Sequence, residues 1–353
     1  MHVIFDVLHL YYLPQYLPVY QELKARNCQV SFVFYHSNHD SIVEGIIDQA
    51  QLTATWVNDQ EQATKYYLKQ NADWIVFANA YPHLDQIHTV SKSVQLGHGI
   101  GPKASYYTKS DTPTTVRFVE GAYRTARFNE MYPNDTFIDV GFSKLDPIIS
   151  GEKVGFNLDE LGLNDQKPTL VYAPTFYPSS IECFPKNWPS DFTDYNILIK
   201  PHYFSVSKEK YKKQQALLNH WSTFDNVYLA KVEDYSLVPF LATADILISD
   251  ASSALFEFAA LNKPVIWCDF LKLRWSYRGI FSYRFKKRMD QDYGEYADIA
   301  VHAQKYRQLR NLVDSHYQNP KQLEQVRLSF SEKLAGKLDG QASKRIADYL
   351  LSH

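Results

Sequence analysis

The sequence predicts an α/β protein made of two doubly wound domains that face a shared cleft. Three observations carry that prediction. The chain has 353 residues, more than one domain usually holds. Short apolar strands alternate with amphipathic helices along most of it. Four polar clusters fall directly after apolar strands, where doubly wound sheets bind ligands.

The first half reads as strand 2–7, helix 14–26, strand 29–35, helix 41–51, strand 54–57 and helix 59–70. Strands 73–78, 93–96 and 116–119, helix 122–131 and strand 136–140 continue the series. A polar stretch, 150–167, carries Gly151, Gly155 and Gly162 and precedes Pro168, which marks a linker. Beyond it come strands 169–172 and 195–199, helix 208–220, strand 226–229, helix 236–244, strand 245–248, helix 253–261 and strand 264–267. Segments 297–315 and 320–351 read as helical. The expected division is a Rossmann-like acceptor-side domain over 1–155 and a Rossmann-like nucleotide-donor domain over 165–335. A terminal helix, 336–353, is placed to cross back to the first domain.

Composition narrows the function classes. With 37 basic and 39 acidic residues the chain has no global attraction for nucleic acid, and no nucleic-acid partner is expected. Its three cysteines, Cys28, Cys183 and Cys268, are scattered and odd in number, which suggests neither a disulfide framework nor a zinc site. The N-terminus enters a strand directly, and no apolar run reaches membrane-spanning length. A cytoplasmic location is expected, at most peripheral at the inner face of the membrane.

The four polar clusters supply the candidate chemistry. Gly97-His98-Gly99-Ile100-Gly101 follows the strand ending at Leu96, and its glycines allow close backbone approach to a ligand beside an exposed imidazole. A plain turn with a locally bonded histidine would use the same residues. Ala173-Pro174-Thr175 follows Tyr172. Lys200-Pro201-His202 follows Ile199 and sets a cation and an imidazole where a leaving phosphate needs neutralising, although a capped loop with a surface lysine fits as well. Ser249-Asp250-Ala251-Ser252-Ser253 precedes an apolar helix whose first N–H groups suit a pyrophosphate, or serve as an ordinary cap. Glu257, one turn on, is placed to accept from ribose hydroxyls, or to sit at the core edge. Lys103 adds a cation beside the glycine loop.

Between Leu271 and Arg288 seven basic residues interleave with five aromatics and no acid. A donor pyrophosphate, an anionic acceptor or an acidic membrane surface would suit this stretch; 271–288 is the expected site of any peripheral membrane contact. Asp290-Gln291-Asp292 follows a basic loop rather than a buried strand and reads as a solvated turn. No metal site and no cofactor are expected.

The order His98-Gly99, Gly141-Phe142-Ser143-Lys144-Leu145-Asp146, Tyr172-Ala173-Pro174-Thr175, Lys200-Pro201-His202 and Ser249-Asp250-Ala251-Ser252-Ser253 resembles the CDP-glycerol glycerophosphotransferase family of teichoic-acid and capsule polymerases. That resemblance implies a GT-B fold, a CDP-alditol donor and transfer of an alditol phosphate, with release of CMP, to a hydroxyl of a glycan or lipid-linked acceptor. It also implies His98 as base, His202 as a second functional histidine near the donor phosphates, and Ser252 and Ser253 as phosphate-binding serines. Ile100 stands where the family usually has Thr, Ser143-Lys144 replaces a Pro-Arg pair, and Glu257 replaces a common Asp. These departures bear on the donor more than on the fold. A glycosyltransferase or epimerase using a nucleotide sugar, and a non-catalytic nucleotide-binding or membrane-docking protein, are the competing readings.

Overall fold

The computed structural model describes residues 1–101, 104–107, 110–250, 252–273 and 296–353. The N-terminal sheet comprises β1 (His2–Val7), β2 (Gln29–Tyr35), β3 (Ala54–Val57), β4 (Trp74–Phe77), β5 (Lys92–Gln95), β6 (Val116–Val119) and β7 (Phe137–Asp139). All neighbours are parallel, in the order β3-β2-β1-β4-β5-β6-β7. The order reverses between β1 and β4, which opens a crevice beyond their carboxyl ends. Val3 and Phe5 point to one face and Ile4 to the other, the two-residue period of a strand buried on both sides.

The second sheet comprises β8 (Thr169–Tyr172), β9 (Asn196–Ile199), β10 (Val227–Leu229), β11 (Ile246–Ser249), β12 (Val265–Cys268) and β13 (Val301–Ala303). Among the described residues it is parallel throughout, in the order β10-β9-β8-β11-β12-β13, with its reversal between β8 and β11. One face packs Val171, Leu198 and Leu247 against Leu241 and Phe258. The other packs Tyr172, Ile197 and Ile246 against the buried Trp188 and Trp221.

The chain returns at its end to the first sheet. Helix Glu324–Leu334 packs Phe330 and Leu334 into the second domain, whereas helix Ala342–Ser352 buries Ile346, Ala347 and Leu350 in the first. There Trp74 Nε1 donates to the Leu350 carbonyl at 3.1 Å. The expected continuous helical reading of 320–351 is therefore interrupted, at a turn containing Gly336 and Gly340 with φ of +70° and +68°. Segment 297–315 also differs from its helical reading: Val301–Ala303 is a sheet-edge strand in register with Ile266–Cys268, and helix begins only at Leu309. Three residues are too few to display a period, so pairing with β12 decides their state. Helix 208–220 is likewise shorter, running Lys212–Trp221 after a separate turn of helix at Tyr203–Ser207. Among the described residues no helix is long and apolar enough to cross a membrane.

Candidate active site

The loop after β5 is built by close packing. A side chain at Gly99 would lie 2.6 Å from the Tyr106 hydroxyl, and one at Gly101, whose φ is +112°, would run into the Phe256 ring. Ile100, fully buried, joins the second domain's core, so this loop is where the two domains meet. Its backbone is clamped from behind: Arg124 Nη2 donates to the Gly101 carbonyl at 2.7 Å while Nη1 pairs with Glu120 at 3.0 Å. Arg117 donates to the Tyr106 carbonyl and lies over the Phe128 ring at 4.2 Å. Two buried cations thus hold the Gly101 and Tyr106 carbonyls. His98 projects from it, half-buried, with the rings of Tyr12, Tyr11 and Tyr106 at 5.3, 5.6 and 5.7 Å.

On the opposite side Asp250, at the end of β11, is fully buried. Its carboxylate accepts from the Thr175 and Ser180 backbone N–H groups at 2.7 and 2.8 Å, and from the Ser180 and Ser179 hydroxyls at 2.9 and 3.3 Å. Burial pushes Asp250 up to about 6, against the pull of these donors. It staples the loop after β8 to the loop after β11, the two edges of that sheet's crevice. The structure therefore assigns Asp250 to holding Thr175, itself 9% exposed, rather than to the cleft surface. Ser252 caps helix Ser253–Ala260, its hydroxyl accepting from Ala254 N at 3.3 Å. Both serines are half-exposed, and a side chain at Gly99 would meet Ser253 Oγ at 3.4 Å, so the helix N-terminus abuts the glycine loop.

Glu257 is 1% exposed and pairs with Lys144 of the first domain at 2.7 Å. The sequence left Glu257 either accepting from ribose hydroxyls or sitting at the core edge; the structure buries it with an interdomain ion pair on one of its oxygens. Lys200 lies over the Phe240 ring at 5.9 Å. Burial pushes its ammonium down to about 8; Asp234 opposes that shift and the charge of Lys144 adds to it. His202 caps the short helix Tyr203–Ser207, its Nδ1 accepting from Phe204 N at 3.1 Å. That bond leaves the ring proton on Nε2. The Phe176 ring lies 4.7 Å away.

His98 and His202 come from opposite sheets, and Tyr11 lies against both, at 5.6 and 6.2 Å between ring centroids. Sequence reasoning missed Tyr11 and Tyr12 as members of this site, and singled out Lys144 only as a departure from a family motif, not as the partner of Glu257. The signal for the tyrosines was their place just after β1, at the reversal of strand order. Lys103 lies outside the described residues, as do residues 274–288 of the basic stretch and the pair Asp290 and Asp292. Among the described residues no cluster of three or more His, Cys, Asp or Glu is arranged to hold a metal ion.

Comparison with known proteins gives the family and the fold. A family model described as CDP-glycerol:poly(glycerophosphate) glycerophosphotransferase matches residues 10–352. A teichoic acid glycerol-phosphate primase of Bacillus subtilis is 30% identical over 153 residues, 42% of this chain and 37% of that protein. A teichoic acid ribitol-phosphate primase of Bacillus spizizenii is 26% identical over 193 residues, 53% of this chain and 44% of that protein. The matched part is thus less than half the length of these relatives. A structure of the wall teichoic acid polymerase TagF superposes with a TM-score of 0.68 at 19% identity, covering 99% of this chain and 88% of the other. A UDP-GlcNAc 2-epimerase from Neisseria meningitidis superposes at 0.60 with 13% identity, covering both chains fully. At such identities these structures speak to the fold alone, and that fold is GT-B.

Proposed function

Because the chain belongs to the CDP-glycerol:poly(glycerophosphate) glycerophosphotransferase family, we propose that it transfers glycerol phosphate from CDP-glycerol to a hydroxyl of a teichoic-type or capsule-type precursor, releasing CMP. The observation that carries this reading is the convergence, at facing crevices, of His98 from one sheet with His202 and the Ser252–Ser253 helix start from the other. A pyrophosphate at the helix N-terminus meets the positive end of the helix dipole. Thr175, Lys200 and Lys103 complete the donor-side assignment.

In the proposed reaction the acceptor oxygen attacks the phosphorus that bears glycerol, and the bond from that phosphorus to the oxygen of CMP breaks. His98 takes the acceptor's proton as the new phosphodiester forms. His202 Nε2–H and Lys200 neutralise charge on the departing CMP, because phosphoryl transfer asks for positioning and charge stabilisation more than covalent chemistry. The acceptor is a glycan or lipid-linked chain, reached at the inner face of the membrane through the basic stretch 271–288 of an otherwise cytoplasmic protein.

A panel of CDP-glycerol, CDP-ribitol, CMP-sialic acid, UDP sugars and GDP sugars, scored by thermal stabilisation, tests the donor assignment. Cytidine nucleotides should raise the melting temperature most. Stabilisation by UDP or GDP sugars alone would overturn the assignment in favour of glycosyl transfer.

A further inference from the structure

A buried carboxylate stands behind His98, at a position that none of the strand-end motifs marks. Strands β5 and β6 are parallel neighbours, so Gly97-His98 and Glu120, which follow them, emerge side by side at one edge of the sheet. Glu120 is 4% exposed, and its Oε1 lies 3.5 Å from where a side chain at Gly97 would begin. Its Oε2 pairs at 3.0 Å with Nη1 of Arg124, one turn along helix Ala122–Met131. His98 and Glu120 both line a small cavity of about 20 Å³, together with Gln95 and Arg124. That is room for one water molecule.

An orphaned donor shows what this space accepts. Arg124 is 4% exposed; its Nη1 and Nη2 are bonded to Glu120 and to the Gly101 carbonyl, whereas its Nε, also buried, meets no acceptor among the described residues. A buried N–H left unmade costs free energy, and a water in a polar cavity removes that cost. Nδ1 of His98 is buried too, so that nitrogen faces protein rather than the cleft. The charges round the cavity are uneven. Arg117, 8% exposed, lines it as well, and two guanidinium groups therefore meet one carboxylate beneath the histidine loop. Tyr106 lines the cavity, Tyr11 and Tyr12 flank the His98 ring, and Asp139 of β7 is engaged by Gly121 N at 2.9 Å. Glu120 is thus the anion beside His98 that offsets the two arginines.

Resting on the phosphotransfer reading above, we propose that Glu120 is the positioning residue of His98: a water in this cavity accepts from His98 Nδ1–H and Arg124 Nε–H and donates to the Glu120 carboxylate. With its hydrogen held on Nδ1, the ring offers Nε2 to the acceptor hydroxyl. The proton taken at Nε2 makes an imidazolium, whose charge Glu120 stabilises. No proton passes to Glu120.

The test measures CMP release from CDP-glycerol as a function of pH, with washed, heat-treated Bacillus subtilis membranes as acceptor, for wild type, Glu120→Gln, His98→Ala and the double variant, together with melting temperatures. Glu120→Gln should lower kcat at neutral pH by about tenfold to a hundredfold, with the donor KM within about twofold. It should also move the acid limb of the profile to lower pH, because two cations then stand near His98 without their counter-charge. In the His98→Ala background the same substitution should cost less than about twofold, since nothing is left to position. Wild-type kcat in Glu120→Gln, an acid limb that stays in place, or an equal loss in both backgrounds overturns the proposal and leaves the phosphotransfer reading intact. If Glu120→Gln does not fold, Glu120→Asp, which keeps the charge and withdraws it by one carbon, is judged by the same comparison of backgrounds. A wild type that releases no CMP overturns the phosphotransfer reading itself, and the role of Glu120 falls with it.

Discussion

The two sides of the cleft are held by different physics. On the second domain one buried carboxylate, Asp250, gathers four donors and ties two loops together. On the first domain, among the described residues, the histidine loop is held by glycines packed against Tyr106 and Phe256, with Arg124 gripping the backbone from behind. The Asp250 side is a hydrogen-bonded frame. The His98 side is a steric fit to the second domain, so His98 is positioned by domain contact as much as by its own sheet. Damage to the two sides should accordingly separate donor binding from turnover.

The largest expected effect tests that separation directly. His98→Ala should lower kcat at saturating CDP-glycerol by about 10²- to 10⁴-fold while donor affinity, read by calorimetry, stays within about threefold. A loss confined to donor affinity would reverse the assignment of the two sides. Next, Lys144→Met leaves Glu257 buried without its cation and should cost about 3–5 kcal/mol in urea unfolding. Replacing both residues by Met should recover most of that loss, which would separate a charge effect from one of shape. Asp250→Asn turns an acceptor-only group into one that faces N–H donors with an amide, and should cost about 1–3 kcal/mol for each donor left unpaired. Its kinetic mark should be on donor KM rather than on kcat.

The smallest effect is a pH dependence. Lys200 is an ammonium below about 8 and loses its proton above that value, so donor affinity should weaken as pH rises through about 8 in calorimetric titrations. Lys200→Met should bind more weakly throughout and lose that inflection. An unchanged inflection would place the titrating group elsewhere.

Much of this was legible in the sequence. Strands of the Val-Ile-Phe kind, such as His2–Val7, Gln29–Tyr35 and Thr169–Tyr172, lie where their apolar runs put them, because burial on both faces leaves an unmistakable pattern. The polar clusters at strand ends could be found because topology sends strand ends to one side. Val301–Ala303 escaped because a short edge strand is defined by its neighbour, not by its own residues. Asp250 and Glu257 were recognised as notable residues, but their partners lie 70 or more positions away, at Ser180 and Lys144, and only folding reveals whether a carboxylate faces a ligand or an internal donor. Tyr11 was hidden for the same reason: in sequence it is one of 26 tyrosines, and its meaning comes from two histidines in other loops.

The central claim is that this cleft breaks a bond at phosphorus and passes an alditol phosphate to an acceptor hydroxyl. Phosphorus NMR of the products formed from CDP-glycerol and acceptor membranes tests it most directly. The account predicts CMP together with a new phosphodiester in equal amounts, and both formed about a hundredfold or more slower with His98→Ala. Release of CDP, with no phosphorus passed to the acceptor, would contradict it.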